Sequence, residues 1–288
     1  VVHPEVSAAL AAIVDRHKCN RLMGCAPRDL LRTHGAAALP AILALLDTAK
    51  TRDGYWIIAL LGLLGETDDP RSVAALEARL GDGRWEVRTR AALSLAALAP
   101  EGSRAALEAA LAPVRRGEDV AFEAAVLYAL DRLGATVDER PAREALVARL
   151  TLDFAALSRL NPGFFAALTE VIRRARVSEA LPVVRLGITH RDRFVRVGAI
   201  EAAAALKDPG AIPFLVGRLD DALPSVRRGT LAALVAITGA TDRGDAAAWK
   251  AWCEATDCRA DVLTGLPAGT PSGPPTAPEL PALPPAAP

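Results

Sequence analysis

The sequence predicts an all-α fold, an α-solenoid of about six to seven stacked helical hairpins with a cap at each end. Three observations predict it. The 288 residues are 51% hydrophobic, mostly Ala and Leu, while aromatics are only 4%. Both are strong helix formers and β-branched runs are scarce, so composition favours helices over strands. The chain also repeats itself: RFVRVGAIEAAAALKDPGAIPFLVGRLDD from Arg193 is followed by PSVRRGTLAALVAITGA from Pro224, with VR dipeptides at Val195 and Val226, 31 residues apart. The helix ends at Leu206 and Ile237 keep that spacing. Finally, the first helix of each unit carries small and apolar residues on most of its faces, which one hairpin cannot bury and stacked neighbours can.

Taken in order, residues 1–35 form an N-terminal cap, with a helix over 4–18, the loop from Cys19 to Cys25, and PRDLLRTHG. Repeats fill 36–240. A partial unit ending in AALPAILALLDTA precedes Asp53. GYWIIALLGLLGETDDPRSVAALEARL from Gly54 is a looser copy in which Ile57 and Ile58 replace the VR pair. RWEVRTRAALSLAALAPEGSRAALEAAL from Arg84 restores it as Val87 and Arg88. Residues 119–152 and 161–191 make further units, the latter without VR. Second helices follow turns rich in Asp, Pro and Gly; in the unit from Arg193, Ala211, Ile212, Phe214, Leu215 and Leu219 recur at helical spacing. Residues 241–262 form the C-terminal cap of a domain spanning 1–262, where Trp249 and Trp252 share a helix face and plug the open apolar end. From Leu263 to Pro288 nine prolines fall in 26 residues with a single charge, Glu279, so a Pro-rich disordered tail is expected.

The pattern resembles the HEAT repeat family, in the shorter bacterial form also described as PBS-lyase-like HEAT repeats. The resemblance rests on Asp192 to Arg196 (DRFVR), Ala202 to Asp208 (AAAALKD), Pro209 to Ile212 (PGAI) and their equivalents above. It implies a right-handed superhelix, of the armadillo-like kind, whose successive second helices form a long concave surface for a protein or peptide. It also implies that the Val of VR packs inward while its Arg pairs with an Asp of a neighbouring repeat. Arg88, Arg196 and Arg227 would then form a structural ladder with Asp82, Asp192, and Asp220 or Asp221.

The 34 basic and 34 acidic residues cancel, so no global field attracts nucleic acid or an acidic membrane, and neither is an expected partner. No apolar run reaches the roughly 18 to 20 residues of a membrane span, and the start VVHPE lacks a signal-peptide pattern. Phosphate-binding loops, zinc-protease and hydrolase motifs and EF-hand loops are absent from the sequence, so no catalytic residue, metal or cofactor is expected. The His-Glu dipeptides with which deoxyhypusine hydroxylases of this group hold iron are also missing. His190, at a helix end, fits a capping or surface role.

Four cysteines form two local pairs. A solenoid holds its ends far beyond the ~7 Å Cα separation of a disulfide, so bridges would be Cys19–Cys25 and Cys253–Cys258, stapling the caps. Such staples point to an extracytoplasmic setting, whether periplasmic, envelope-attached or secreted. Two alternatives stay open: a zinc site of His17, Cys19, Cys25 and His34, whose spacing departs from the usual ligand signatures, and free thiols in the cytoplasm.

Of the 34 basic residues only Lys18, Lys50, Lys207 and Lys250 are lysines. Arg71, Arg104, Arg143, Arg185 and Arg218 lie on predicted second helices and are candidates for the interaction surface. Arg173, Arg174 and Arg176, with Arg191, Arg193 and Arg196 beyond the next turn, form a second candidate patch; the alternative is that Glu170, Glu179 and Asp192 balance them. The function these readings support is a monomeric, non-enzymatic protein- or peptide-binding scaffold. A HEAT-like lyase or a nucleic-acid enzyme with a pocket invisible in sequence is the alternative.

Overall fold

The computed structural model describes residues 3–14, 26–48, 54–112, 119–151, 161–241, 243–256 and 258. Helix α1 (Pro4–Val14) and α2 (Ala26–His34) form the first hairpin, followed by α3 (Leu39–Asp47). Residues 15–18 of the predicted first helix, Cys19, Cys25 and the Pro-rich segment 263–288 lie outside the described residues.

From there, long first helices alternate with short second helices. The first helices are α4 (Gly54–Leu64), α6 (Trp85–Leu98), α8 (Val120–Arg132), α10 (Pro162–Ala175), α12 (Arg193–Leu206) and α14 (Pro224–Thr238). The second helices are α5 (Pro70–Glu77), α7 (Arg104–Leu111), α9 (Ala142–Thr151), α11 (Leu181–Ile188) and α13 (Ile212–Val216), and α15 (Ala246–Thr256) ends the stack. Each first helix packs on the next, from α4 through α14, while α5, α7, α11 and α13 pack on the first helix that follows them. This order of packing is that of an α-solenoid.

Local chemistry explains the boundaries. Asp69, Asp119, Asn161 and Asp192 cap the N-termini of α5, α8, α10 and α12 by accepting backbone N–H bonds. At the other end, left-handed residues stop the helices: Ala99, Arg176, Lys207 and Gly239 follow α6, α10, α12 and α14 with φ of 48°, 51°, 51° and 73°. Between α8 and α9 the expected plain turn is a two-stranded ribbon, with Thr136 opposite Pro141 and Val137 opposite Arg140. Asp138 and Glu139 at its tip both take positive φ, the geometry of a tight hairpin turn.

Helix α8 is buried on almost every face; from Val120 to Leu130 only Glu123 escapes. A helix apolar all round belongs in the middle of a core. On either side of it in the stack, Trp85 of α6 reaches Phe164 of α10, ring centroids 4.4 Å apart. In α12 the alanines face inward: Ala199, Ala202 and Ala203 are fully buried, while Ala204 is half-buried and Ala205 exposed. Small side chains are needed here because α11 comes very close; a Cβ added at Gly187 would lie 2.7 Å from that of Ala199. At the far end Trp249 is fully buried and meets the half-buried Trp252 edge-on at 5.5 Å, with Arg243 over both rings.

Candidate functional site: a groove along the first helices

First helices line two grooves among the described residues. The larger, about 580 Å³, lies between the N-terminal halves of α6, α10 and α12. Trp85 and Phe194 give it aromatic walls, Ile58 and Leu93 add apolar surface, and Glu86 and Arg90 are its charged side chains on α6. Gly163 lets the indole approach α10, since a Cβ there would stand 2.9 Å from Trp85 Cζ2. Thr89 belongs to the same lining, and its buried hydroxyl has no protein partner. The smaller groove, about 390 Å³, runs between α12 and α14 over Val197, Ala204, Gly229 and Ala232, with Arg228 beside it. The sequence-derived expectation placed the binding surface on second helices. Those helices are short, five residues in α13 and eight in α11, and their apolar sides are taken up against the first-helix layer.

The charged residues lining the larger groove are Glu86, Arg90, Glu170 and Asp192, of which Glu170 is paired with Arg173 and Arg174 and Asp192 caps α12. Burial pushes the Glu170 carboxyl up, but Arg174 and Arg173 more than offset this and hold it at about 2. Their guanidinium nitrogens donate to it at 2.6 and 2.7 Å. A carboxyl depressed in the folded state stabilises it above the unfolded pKa and loses that contribution as pH falls. The native protein should therefore lose roughly 3 kcal/mol of stability between about pH 4.5 and 2 through this group. Acid titrations of unfolding free energy should show Glu170→Gln flattening that window; an unchanged pH profile would refute the assignment.

Each candidate arginine of the second helices has an acidic or carbonyl partner within the chain. Arg185 grips Asp208 with both forks, at 2.8 and 2.7 Å. Arg104 donates to the Leu133 carbonyl at the end of α8, and Arg143 to those of Ala175 and Arg176 at the end of α10. These are the orphan carbonyls every helix leaves at its C-terminus. Arg71 closes on Asp69 of its own cap, and Arg218 stands 4.0 Å from Asp221. The second patch divides in the same way: Arg173 and Arg174 serve Glu170, Arg193 lies over the Phe194 ring, and Arg176 is exposed as the left-handed cap of α10.

In the ladder, Val87, Val195 and Val226 are fully buried. Arg196 pairs with Asp221 of the next unit at 2.9 Å, whereas Arg88 pairs with Asp119, which is not among the aspartates the resemblance suggested. Asp82 instead binds Arg84 and Asp192 caps α12, while Arg227 donates to the Asp221 carbonyl at 2.6 Å. His190 is half-buried, stacked at 5.5 Å on Phe165, and its Nδ1 accepts from the Asp192 amide. Burial lowers its pKa. Cys253 of α15 stands at disulfide distance from Cys258, Cα atoms 4.8 Å apart.

Residues 154–235 match the family model of HEAT repeats. The helices of the described residues thus stack as an α-solenoid, and residues 154–235 are similar to HEAT repeats. Among solved structures, that of human deoxyhypusine hydroxylase in complex with glycerol is similar, with 19% identity, coverage of 82% of this chain and 96% of that one, and a TM-score of 0.43. The complex of CpcE and CpcF of phycocyanin lyase from Nostoc sp. PCC7120 is similar at 17% identity, 91% and 94% coverage and a TM-score of 0.47. No curated protein matches the chain. Among the described residues no single helix is long and apolar enough to cross a membrane.

Proposed function

We propose that the protein is a non-catalytic scaffold that binds a segment of another protein in the groove between α6, α10 and α12. The observation that carries this reading is the opening flanked by Trp85 and Phe194, with Glu86 beside it. Aromatic walls recognise apolar side chains, and the exposed Glu86 carboxylate beside them favours a segment that also carries Lys or Arg. The chain acts as a monomer in this reading, in an extracytoplasmic setting; the Cys253–Cys258 pair at disulfide distance supports that setting.

A photo-crosslinking residue placed at Phe194 should capture the partner in native extracts, and the same residue at Arg71 should not. Capture from position 71 alone would move the binding surface to the second helices.

A further inference from the structure

We propose that His3, Glu5 and His34 form a binding site for a divalent transition metal of the zinc class on the N-terminal cap. The three residues come from the start of one helix and the end of another. Glu5 lies in the first turn of α1 with His3 just before it, and His34 is the last residue of α2. Packing of α1 on α2 brings them together, so that one ligand atom from each lies within 4.8 Å of the others. Glu5 Oε2 is 3.4 Å from His34 Nε2 and 3.9 Å from His3 Nδ1, and the two imidazole centroids are 5.0 Å apart.

Those separations fit one shared ion. Ligands bound at about 2.0 to 2.1 Å in a tetrahedron stand roughly 3.3 to 3.4 Å from one another. The Glu5–His34 edge already has that length, and the exposed His3 and Glu5 side chains can close the remaining gap by small rotations. His34 is the least exposed of the three and supplies the fixed point. Two imidazoles and a carboxylate suit Zn²⁺, Cu²⁺ or Ni²⁺ and not Ca²⁺ or Mg²⁺, which take oxygen ligands. Three protein ligands leave one position for water or a further donor. Because the ligands sit on both helices, the ion would tie the start of α1 to the end of α2. The site shares no residue with the groove, so it stands or falls separately from the binding function.

Calorimetric titration of the tag-free full chain with Zn²⁺ alone, in a buffer that does not chelate, tests the site. One ion per chain should bind, His34→Ala and Glu5→Gln should each weaken binding at least tenfold, and Ca²⁺ should give no heat. Circular dichroism of both variants confirms that the helices persist. A variant with Cys19 and Cys25 both changed to Ser should bind as the original does. Binding undiminished in His34→Ala, binding lost in the Cys variant, or no binding at all would each overturn the proposal.

Discussion

Arg185→Ala should lower the free energy of unfolding by about 3 kcal/mol or more in urea titrations, while Arg71→Ala should leave it nearly unchanged. The sequence presents these two arginines as equivalent, basic residues on polar stretches of second helices. In the structure the Asp208 carboxylate that Arg185 holds has no solvent exposure and also accepts the Gly210 amide at 3.0 Å. Its hydrogen bonds keep the Arg185 pKa above the ordinary value. Truncating Arg185 leaves a buried carboxylate with its main counter-ion gone, which is the costly way to break a buried pair. The partner of Arg71 is a carboxylate at the surface, where water replaces the lost bonds. Equal losses from the two variants would contradict this division between inter-repeat and surface arginines.

Ala203→Leu should destabilise by about 1 to 3 kcal/mol, and Ala205→Leu, two residues further along the same helix, should be close to neutral. Ala203 is fully buried in a layer tight enough for Gly187 and Ala199 to touch, so a larger side chain must push α12 from its neighbours. Ala205 is exposed. Ala204, which the alanine run makes look identical, lines the smaller groove, so Ala204→Phe fills that groove and should cost less than Ala203→Leu. Thermal melting of the three variants checks the order. An Ala204 variant that melts below the Ala203 variant would contradict it.

Much of the architecture is legible because it is local. The 31-residue spacing of the VR pairs, the aspartates before helices and the Asp-Pro-Gly turns each act within a few residues of where they stand. What stays hidden is whatever depends on which neighbour covers a face. Periodicity marks α8 as apolar but does not say that Trp85 and Phe164, far apart in the chain, meet beside it. It places Arg104 and Arg143 on polar faces, yet their long side chains reach back to helix-end carbonyls in the next unit. Asp119 is readable as a helix cap, but its second role as the acceptor of Arg88 needs the three-dimensional stack. The histidine and glutamate cluster escapes for the same reason: local spacing groups His34 with His17, Cys19 and Cys25, and helix packing groups it with His3 and Glu5.

The proposed binding surface lies on the first helices, not the second. The most direct measurement is the affinity of the crosslinked partner, once purified, for the unaltered chain, Phe194→Glu and Arg71→Glu, with melting temperatures recorded alongside. The account predicts that Phe194→Glu binds at least tenfold more weakly, a loss of about 1.4 kcal/mol or more, without a drop in melting temperature. Arg71→Glu should bind as the original does. Undiminished binding by Phe194→Glu together with weakened binding by Arg71→Glu would contradict it.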